Sequence, residues 1–451
     1  MLLDFSSPLA TLYSVVEIIN YVIIIFCSLG FVSQLFFTLF MWVKNKKLKK
    51  ADNYANFAVC ICARNEEDVI FDTIERIKKT TTYPIDKITF FVCCHNCNDK
   101  THEEALRAGA IVYDLNDDNP KHAMVAYPYC YLISKIKQEY KGKFDLVTRI
   151  DADNILHKNF FEEMNNGYYS GFKAMRGYIA SANLTQNNWT LASALYYMRD
   201  SRVVCQTREA FHLDMMLDGG AGITLTSDTL DKFEGQFLTS VSEDSELSLK
   251  LIYKKIRIHY VKDAIVYNDH PSNFKDTSNR NIRMGHGLNL LFLKESPKML
   301  LKSITLGKFS LIDLFLQLLF IPTSFFSLGW ILPYYLILLT FHCFNAFLPN
   351  GVSFMAGLGW MSQEMSLQNI ITIATSGITF LIFFALLYII SALIVLKSAE
   401  KTLGINFKKC VKSAFIAPLF MLLYNFSIFA GIVSKPKWKK VQRSKNFEGI
   451  K

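Results

Sequence analysis

The sequence predicts an α/β domain with a parallel sheet, joined to helices that are apolar enough to cross a membrane. Three observations lead to this class. The chain of 451 residues is 51% hydrophobic and 20% charged, a combination typical of a membrane protein with a sizeable water-soluble part. The charged residues concentrate between positions 50 and 300, and the longest apolar stretches lie outside that part. Within it, short apolar runs alternate with helical patterns, as expected for βαβ units.

The first apolar segment, residues 15–43, is long enough to span a bilayer once. No basic region precedes it, so we expect an anchor rather than a cleaved signal. Lysines follow it at 44–50 and place that end in the cytosol. A second lysine cluster lies at 435–440. Both clusters contribute to the net charge of +10, and they indicate contact with anionic lipid rather than with nucleic acid.

Strands alternate with helices in the first half of the charged part. The strands are predicted at residues 56–63, 87–93, 109–113 and 144–150. One helical pattern ends near residue 79, a second begins after residue 101, and a third covers 123–140. Strands alternating with helices in this way indicate a parallel sheet with right-handed crossovers. The sequence contains neither a glycine-rich dinucleotide fingerprint nor a P-loop, so phosphate would be held by a metal ion and side chains.

Two carboxylates follow the fourth strand, in the run Arg-Ile-Asp-Ala-Asp at 149–153. Alternate residues of an extended backbone point to the same side, so Asp151 and Asp153 can face one cleft. Paired carboxylates suit a hard cation such as Mg²⁺ or Mn²⁺ that carries phosphate oxygens. An ordinary surface turn is the alternative, because Asp and Asn are common loop residues.

The second half of the charged part continues with a helix near residues 160–164 and an extended segment at 174–182. A glycine cluster at 218–222 precedes a short apolar run, and a helix follows at 242–254. Ser240 and Glu243 fit a capping box, and acidic residues in the first turn complement the helix dipole. The functional alternative is that Asp244, at the positive helix end, accepts a proton. Residues 256–266 are predicted as one strand or a strand pair.

The C-terminal third has no Lys or Arg between Lys308 and Lys397. Spanning helices are predicted at 311–328, 330–348, 370–396 and 414–433. With four spans, the last lysines lie in the cytosol and residues 397–412 lie outside. With one long span in place of the first two, the last lysines lie outside and residues 397–412 lie in the cytosol. Polar and aromatic residues here suit either a sugar path or helix contacts: Trp330, Tyr334, Tyr335 and Asn345.

Ten cysteines are scattered along the chain. Cys93, Cys94 and Cys97 surround His95, but no second cysteine pair at zinc-site spacing accompanies them. We therefore expect reduced thiols in a cytosolic domain, with zinc binding as the alternative.

Taken together, these features resemble a membrane-embedded family 2 glycosyltransferase, the superfamily that includes cellulose, hyaluronan and poly-N-acetylglucosamine synthases. The resemblance covers nearly the whole chain and implies a multi-pass plasma-membrane protein with a cytosolic catalytic domain. The implied parts are a transmembrane anchor at 1–50, a Rossmann-like GT-A domain at 51–290, interfacial helices at 291–310, C-terminal transmembrane helices at 311–434 and a basic cytosolic tail at 435–451.

The resemblance also implies roles for individual residues. Asp151 and Asp153 match the metal-binding pair, and Asp244 matches the catalytic general base. The implied donor-binding residues are Ala63, Asn65, Glu66, His95, Lys121, Asp151 and Arg283. The implied acceptor-binding residues are Gly219, Gly220, Glu243 and Met284. Three positions depart from the family pattern: His95 replaces an Asp that reads uracil, Arg280 replaces a Gln, and Met284 replaces a Trp that stacks on the acceptor sugar.

The implied reaction is inverting transfer from a UDP-sugar, with Mg²⁺ or Mn²⁺, to build a β-linked polysaccharide processively and export it across the membrane. A non-processive transferase that adds one sugar to a lipid-linked acceptor is the alternative, and the Met284 replacement favours it. A transporter or receptor with an inactive sugar-nucleotide module is the alternative from another class. The expected partners are the UDP-sugar donor, a glycan or lipid-linked acceptor and the lipid bilayer, and no nucleic acid.

Overall fold

The computed structural model describes residues 8–43, 45–117, 119, 122, 125–184, 186–217, 219–347 and 363–434. It begins with one long apolar helix, α1 (Pro8–Leu39), followed by an α/β part and a set of C-terminal helices. The predicted contact residue Lys121 and the predicted basic tail at 435–451 lie outside the described residues.

An eight-stranded mixed sheet forms the centre of the α/β part, in the order β3-β2-β1-β4-β7-β6-β8-β5. The strands are β1 Phe57–Ala63, β2 Ile88–His95, β3 Ile111–Leu115, β4 Leu146–Asp151, β5 Ile155–Leu156, β6 Ala174–Ser181, β7 Ile223–Thr226 and β8 Ile258–Asn268. The first four neighbours in the order pair in parallel, as predicted. Strand β7 is antiparallel to both β4 and β6, so the sheet is mixed rather than wholly parallel.

Helices cover both faces of this sheet, and two apolar clusters form its core. The helices of the α/β part are α2 Ile70–Thr80, α3 Thr101–Arg107, α4 Ala126–Glu139, α5 Phe160–Tyr169, α6 Asn188–Arg199, α7 Gln206–Ala210, α8 Ser227–Leu230 and α9 Glu243–Tyr253. Strands β1 and β2 are almost wholly buried, which is why their sequences are continuous apolar runs rather than alternating ones.

Helix α9 begins within one residue of the predicted start, but its first turn is held differently from the prediction. The capping box predicted between Ser240 and Glu243 does not form, and Ser242 occupies the N-cap without a side-chain hydrogen bond. Instead Glu246 accepts hydrogen bonds from the backbone N–H groups of Thr239 and Ser240, at 2.7 and 2.8 Å. Glu243 is thereby left to pair with a residue of the cavity described below.

A 32-residue helix, α10 (Phe274–Thr305), leads from the sheet to the C-terminal helices without a break at residue 290, the predicted domain boundary. The remaining helices are α11 Ser310–Leu318, α12 Phe320–Phe326, α13 Leu332–Phe347, α14 Gln363–Leu403, α15 Phe407–Ala414 and α16 Ala417–Val433. Short π-helical turns lie at Asp200–Cys205 and Ser327–Ile331.

Three helical stretches among the described residues are long and apolar enough to cross a membrane: Thr11–Leu39, Ser310–Phe347 and Met365–Leu403. The bent pair α15 and α16 would make a fourth. The spans predicted separately at 311–328 and 330–348 fall within the single stretch Ser310–Phe347, so the predicted division between them is wrong. A π-helical turn, rather than a reversal of the chain, occupies the division.

Candidate functional site

A cavity of about 930 Å³ opens at the carboxyl ends of β1, β2 and β4 and continues between the C-terminal helices. We call it the central cavity. Its α/β end is lined by charged and polar residues such as Arg149, Asp151 and Asp244, and its far end by apolar ones such as Phe384 and Leu387. Trp330, Tyr334, Tyr335 and Asn345 are not among the lining residues, and Asn345 instead donates to Ser366 Oγ at 2.6 Å.

The end of β4 turns sharply into the cavity. The Asp151 N–H donates to Asn154 Oδ1 at 2.8 Å, and the Asn154 N–H donates back to the Asp151 carbonyl at 3.1 Å. The Asn154 side chain is itself held by Asn268 on β8, at 3.1 Å. This turn brings both Asp151 and Asp153 to the cavity wall, and Asp153 is 8% exposed.

The glycine loop at 219–222 contacts both the end of β4 and the start of α9. The Gly219 N–H donates to Asp244 Oδ2 at 3.1 Å. A Cβ added at the next residue, Gly220, would lie 3.9 Å from Asp151 Oδ2 and 3.3 Å from Arg149 Nη2. Both glycines have positive φ, +96° and +67°, a backbone region that only glycine enters freely. The carboxylates of Asp151 and Asp244 therefore face one space across this loop.

A buried ion pair supports the floor of the cavity. Arg149 Nη2 donates to Glu243 Oε1, and both residues are less than 10% exposed. Burial lowers the pKa of Arg149, but the carboxylates of Glu243, Asp151 and Asp244 outweigh it, so the net shift is upward. The Nε and Nη1 atoms of Arg149 have no protein partner in the described part of the chain. The guanidinium is a fixed positive charge beneath the acids.

Helix α10 forms the opposite wall, and its glycines allow a close approach to α9. A Cβ at Gly287 would lie only 2.5 Å from Ser242 Oγ. Arg283 and Met284, one turn earlier, line the cavity, and Tyr197 contacts the Met284 sulfur at 3.5 Å. Burial lowers the pKa of Arg283, and the charge of Glu243 opposes the shift. Arg283 thus lies within electrostatic reach of the acids.

The predicted donor end is built from the loops after β1 and β2. Ala63, Glu66 and His95 line the cavity. His95 is 4% exposed, its Nε2 has no partner among the described residues, and burial lowers its pKa. Asn65 does not line the cavity. Its side chain accepts from the Asn98 N–H at 3.0 Å and so ties the two loops together.

The structure therefore brings together Ala63, Glu66, His95, Asp151, Asp153, Gly219, Gly220, Glu243, Asp244, Arg283 and Met284. Arg149 and Tyr197 also line the cavity, although sequence reasoning assigned them no role. A signal for Arg149 was present, because a charged residue inside an otherwise apolar strand needs a buried partner. For Tyr197, in a helix of ordinary composition, the sequence carried no such signal.

The donor set of the cavity fits a hard divalent cation. Asp151 and Asp153 supply carboxylate oxygens from one turn at the cavity wall, and oxygen ligands are the ones such a cation prefers. A hard cation at this point would also have open cavity on its other side, as needed for a ligand to share it.

Comparisons with known proteins identify the family and the fold of the α/β part. A family model described as "Glycosyltransferase like family 2" matches residues 55–287. The mannosyltransferase PcManGT from Pyrobaculum calidifontis, solved in complex with GDP-Man and Mn²⁺, has a similar fold with a TM-score of 0.50 at 14% sequence identity. That match covers 75% of this chain and 91% of the other.

A weaker similarity is to glucosyl-3-phosphoglycerate synthase from Mycobacterium tuberculosis in complex with Mn²⁺, UDP and glucosyl-3-phosphoglycerate. Its TM-score is 0.32 at 16% identity, and the match covers 48% of this chain and 73% of that chain. None of the curated proteins matches the sequence at a significant level.

Proposed function

Because the chain belongs to glycosyltransferase family 2 and has the GT-A fold, we propose that it is an inverting transferase that uses a UDP-sugar. The observation that carries this proposal is the convergence of three acids on one cavity. Asp151 and Asp153 lie at the end of β4, and Asp244 lies across the glycine loop from them.

Asp244 is the proposed general base. Its two carboxylate oxygens accept separate backbone hydrogen bonds, from Gly219 at 3.1 Å and from Ser245 at 2.7 Å, so its orientation is fixed. In that orientation it would take the proton of an acceptor hydroxyl as the oxygen attacks the anomeric carbon. The bond to the nucleotide breaks on the opposite face, and a single displacement inverts the anomeric configuration. An α-linked donor would therefore give a β-linkage.

Asp151 and Asp153 would hold Mg²⁺ or Mn²⁺. When bound, the ion would supply positive charge to the diphosphate of the donor. Arg283 would add a second positive charge from the α10 wall. Arg149 would hold Glu243 in place at the acceptor side, through the buried ion pair. Lys121, which matches a diphosphate-facing lysine of the family, is proposed on the sequence alone.

The donor base would lie near Ala63, Glu66 and His95. A histidine can offer either a donor or an acceptor atom to the base edge, depending on its tautomer. The unpartnered Nε2 of His95 is available for such a contact. Asn65 would affect donor binding indirectly, because it holds the β1 loop against the β2 loop.

The test uses the purified protein in detergent, incubated with separate UDP-sugars and with GDP-mannose, in the presence of Mg²⁺ or Mn²⁺. We expect UDP release from one UDP-sugar, dependence on the cation, and its loss in Asp153→Asn. Release from GDP-mannose alone would contradict the uridine assignment. No nucleotide release from any donor would favour an inactive module in a transporter or receptor.

For the product we propose a β-linked polysaccharide, made processively and exported. The continuation of the cavity from the acids into the C-terminal helices supports this, since a growing glycan needs a path away from the site. The second candidate is a single addition to a lipid-linked acceptor. The apolar lining of the far end by Leu381, Phe384, Leu387 and Leu422 favours it, because such side chains suit a lipid tail better than a sugar.

Product length separates the two candidates. A processive enzyme gives long chains at early times without added acceptor, whereas a single-addition enzyme gives one sugar per lipid and stops when the lipid is exhausted. Mass spectrometry of products made with and without an added lipid extract measures both outcomes. In either case the chain is proposed to lie in the plasma membrane with the α/β part in the cytosol, and protease protection of sealed vesicles tests that orientation.

A further inference from the structure

Three potential metal ligands converge behind the donor loops, outside the central cavity. They are Cys94 on β2, His102 in the first turn of α3 and Asp114 on β3. One ligand atom of each lies within 4.8 Å of the other two. The sequence draws attention to His95 as the histidine beside the cysteines, but the structure selects His102 instead.

The convergence follows from the local fold. Cys94 and Asp114 are partners in the parallel register of β2 and β3, so their side chains project from neighbouring positions on one face of the sheet. Helix α3 begins over that face, and His102 Nδ1 lies 2.8 Å from Asp114 Oδ1. Three separate elements, two strands and a helix, therefore position the three groups.

We propose that Cys94, His102 and Asp114 bind a Zn²⁺ ion. A thiolate, an imidazole and a carboxylate together favour zinc over Mg²⁺ or Mn²⁺, which prefer oxygen ligands alone. With Zn–S of about 2.3 Å and Zn–N or Zn–O of about 2.1 Å, tetrahedral donors lie roughly 3.3–3.7 Å apart. The three ligand atoms already lie within 4.8 Å of one another, so rotation of the side chains can bring them to that spacing. The Cys94 thiol would lose its proton to solvent when the metal binds.

Cys97 is the candidate fourth ligand, although its sulfur lies outside the group of three. It follows Cys94 at the C-x-x-C spacing, and its thiol donates to the Ala63 carbonyl at 3.5 Å. Cys97 also accepts a hydrogen bond from the Asn65 N–H at 3.4 Å. A structural zinc site is closed by four protein ligands, so rotation of Cys97 onto the metal would complete it. Water would take that position in a three-ligand site.

The site would act on the donor end of the cavity without contacting the reaction. The loop between Cys94 and His102 carries His95 and Thr101, and Thr101 Oγ1 accepts from the Glu66 N–H at 2.8 Å. A metal that fixed both ends of this loop would hold His95 in a constant position relative to Glu66. The three ligands would therefore position the donor-binding residues without touching the substrate.

The experiment measures zinc, so its outcome is independent of the proposed transferase activity. The full chain is purified in detergent from zinc-supplemented cells, washed with a weak chelator and assayed by elemental mass spectrometry. We expect about one zinc per chain in the wild type and less than about 0.2 in Cys94→Ser, His102→Ala and Asp114→Asn. His102 and Asp114 side chains are 35% and 51% exposed, so those two variants are expected to fold even where Cys94→Ser does not.

Matched controls are a second buried cysteine and a second histidine, Cys130→Ala and His157→Ala, which should keep the wild-type zinc content. Asp153→Asn should also keep it. Replacement of the metal by Co²⁺ should give a thiolate charge-transfer band that is absent in Cys94→Ser. The proposal would be overturned if the wild-type chain held no zinc after incubation with the metal. It would also be overturned if His102→Ala and Asp114→Asn held as much zinc as the wild type.

Discussion

At the scale of single residues, two adjacent acids of the cavity are held by different kinds of partner. Glu243 is paired with the buried Arg149, whereas Asp244, the next residue, is held by backbone N–H groups. The first arrangement pairs a carboxylate with a cation, and the second orients one through backbone hydrogen bonds. Adjacent acids in the first turn of α9 can therefore serve different purposes, one structural and one chemical.

Replacing Asp244 by Asn tests this division. The amide keeps the size of the carboxylate but cannot take a proton, so we expect turnover to fall by at least about a hundredfold, in line with the contribution of general bases. Donor affinity should change by less than about threefold, because the base is proposed to contact the acceptor. Turnover and nucleotide binding by calorimetry measure the two effects, and Asp263→Asn, at an exposed acid of β8, is the control.

His270 supplies a pH-dependent term in stability. It is 3% exposed, it faces Arg280 and Ser193, and burial lowers its pKa well below the ordinary value of 6.5. The folded chain keeps this imidazole neutral, while the unfolded chain protonates it below about pH 6.5. Stability is therefore complete above that pH and falls as the pH decreases, by up to about 1.4 kcal/mol per pH unit.

We accordingly expect the unfolding midpoint of the protein in detergent to fall between pH 7 and pH 5.5, and to fall less steeply in His270→Gln. The slope should be reduced rather than abolished, because burial also lowers the pKa of His95. Parallel slopes in the wild type and in His270→Gln would contradict this assignment. Thermal unfolding at four pH values, followed by intrinsic fluorescence, is sufficient to compare them.

At the scale of elements, the glycine loop connects two segments that the sequence separates by almost a hundred residues. It contacts the end of β4 through Gly220 and the start of α9 through Gly219. Its shape depends on consecutive positive φ angles at these two residues. The loop therefore sets how far Asp151 stands from Asp244, although it contributes no charged group of its own.

Gly220→Ala tests that role against a matched glycine. Gly142 has φ of +73°, close to the +67° of Gly220, but a Cβ there would meet nothing within 4 Å. Both substitutions should cost about 1 kcal/mol in stability from the left-handed backbone alone. Only Gly220→Ala should also lower turnover, by about tenfold, because its methyl group presses on Arg149. Equal turnover in the two variants would show that the loop is not coupled to the site.

The elements also show how far sequence reasoning reaches. Strands β1 and β4 were predicted within two residues: β1 is a continuous apolar run, and polar residues mark where both strands end. The antiparallel insertion of β7 between β4 and β6 was not predicted, since pairing order depends on contacts far apart in sequence. The paired acids and the acid of α9 were found, whereas the partner of Glu243 was not.

At the scale of the whole molecule, helix α10 links the cavity wall to the C-terminal helices. The link was not predicted, because the family resemblance implied a domain boundary at residue 290, whereas α10 runs through it. In the structure α10 packs along α16, with a glycine on each helix at the crossing. A Cβ at Gly431 of α16 would lie 2.4 Å from the Ile282 carbonyl oxygen, and one at Gly285 would lie 3.0 Å from the Ile428 Cα.

The crossing predicts that a methyl group far from the acids will disturb the site. In Gly431→Ala, the added carbon meets the α10 backbone at Ile282 and at the His286 N–H, 2.9 Å away, and backbone cannot rotate aside. The two helices must separate, and Arg283 and Met284 lie on the displaced turn of α10. A shift of about 1 Å in a positioning wall lowers turnover by about ten- to a hundredfold. Nucleotide release by detergent-purified protein measures the loss.

A second helical glycine supplies the control, because an added Cβ at Gly377 of α14 meets no described residue within 4 Å. Alanine there should leave turnover unchanged and stabilise the helix by up to about 1 kcal/mol, the difference in helix propensity between the two residues. If Gly431→Ala retains full turnover while its unfolding midpoint falls, the crossing serves stability alone. If turnover falls while the Gly377→Ala variant stays active, the C-terminal helices and the acids form one mechanical unit, and the membrane part takes a direct share in shaping the cavity.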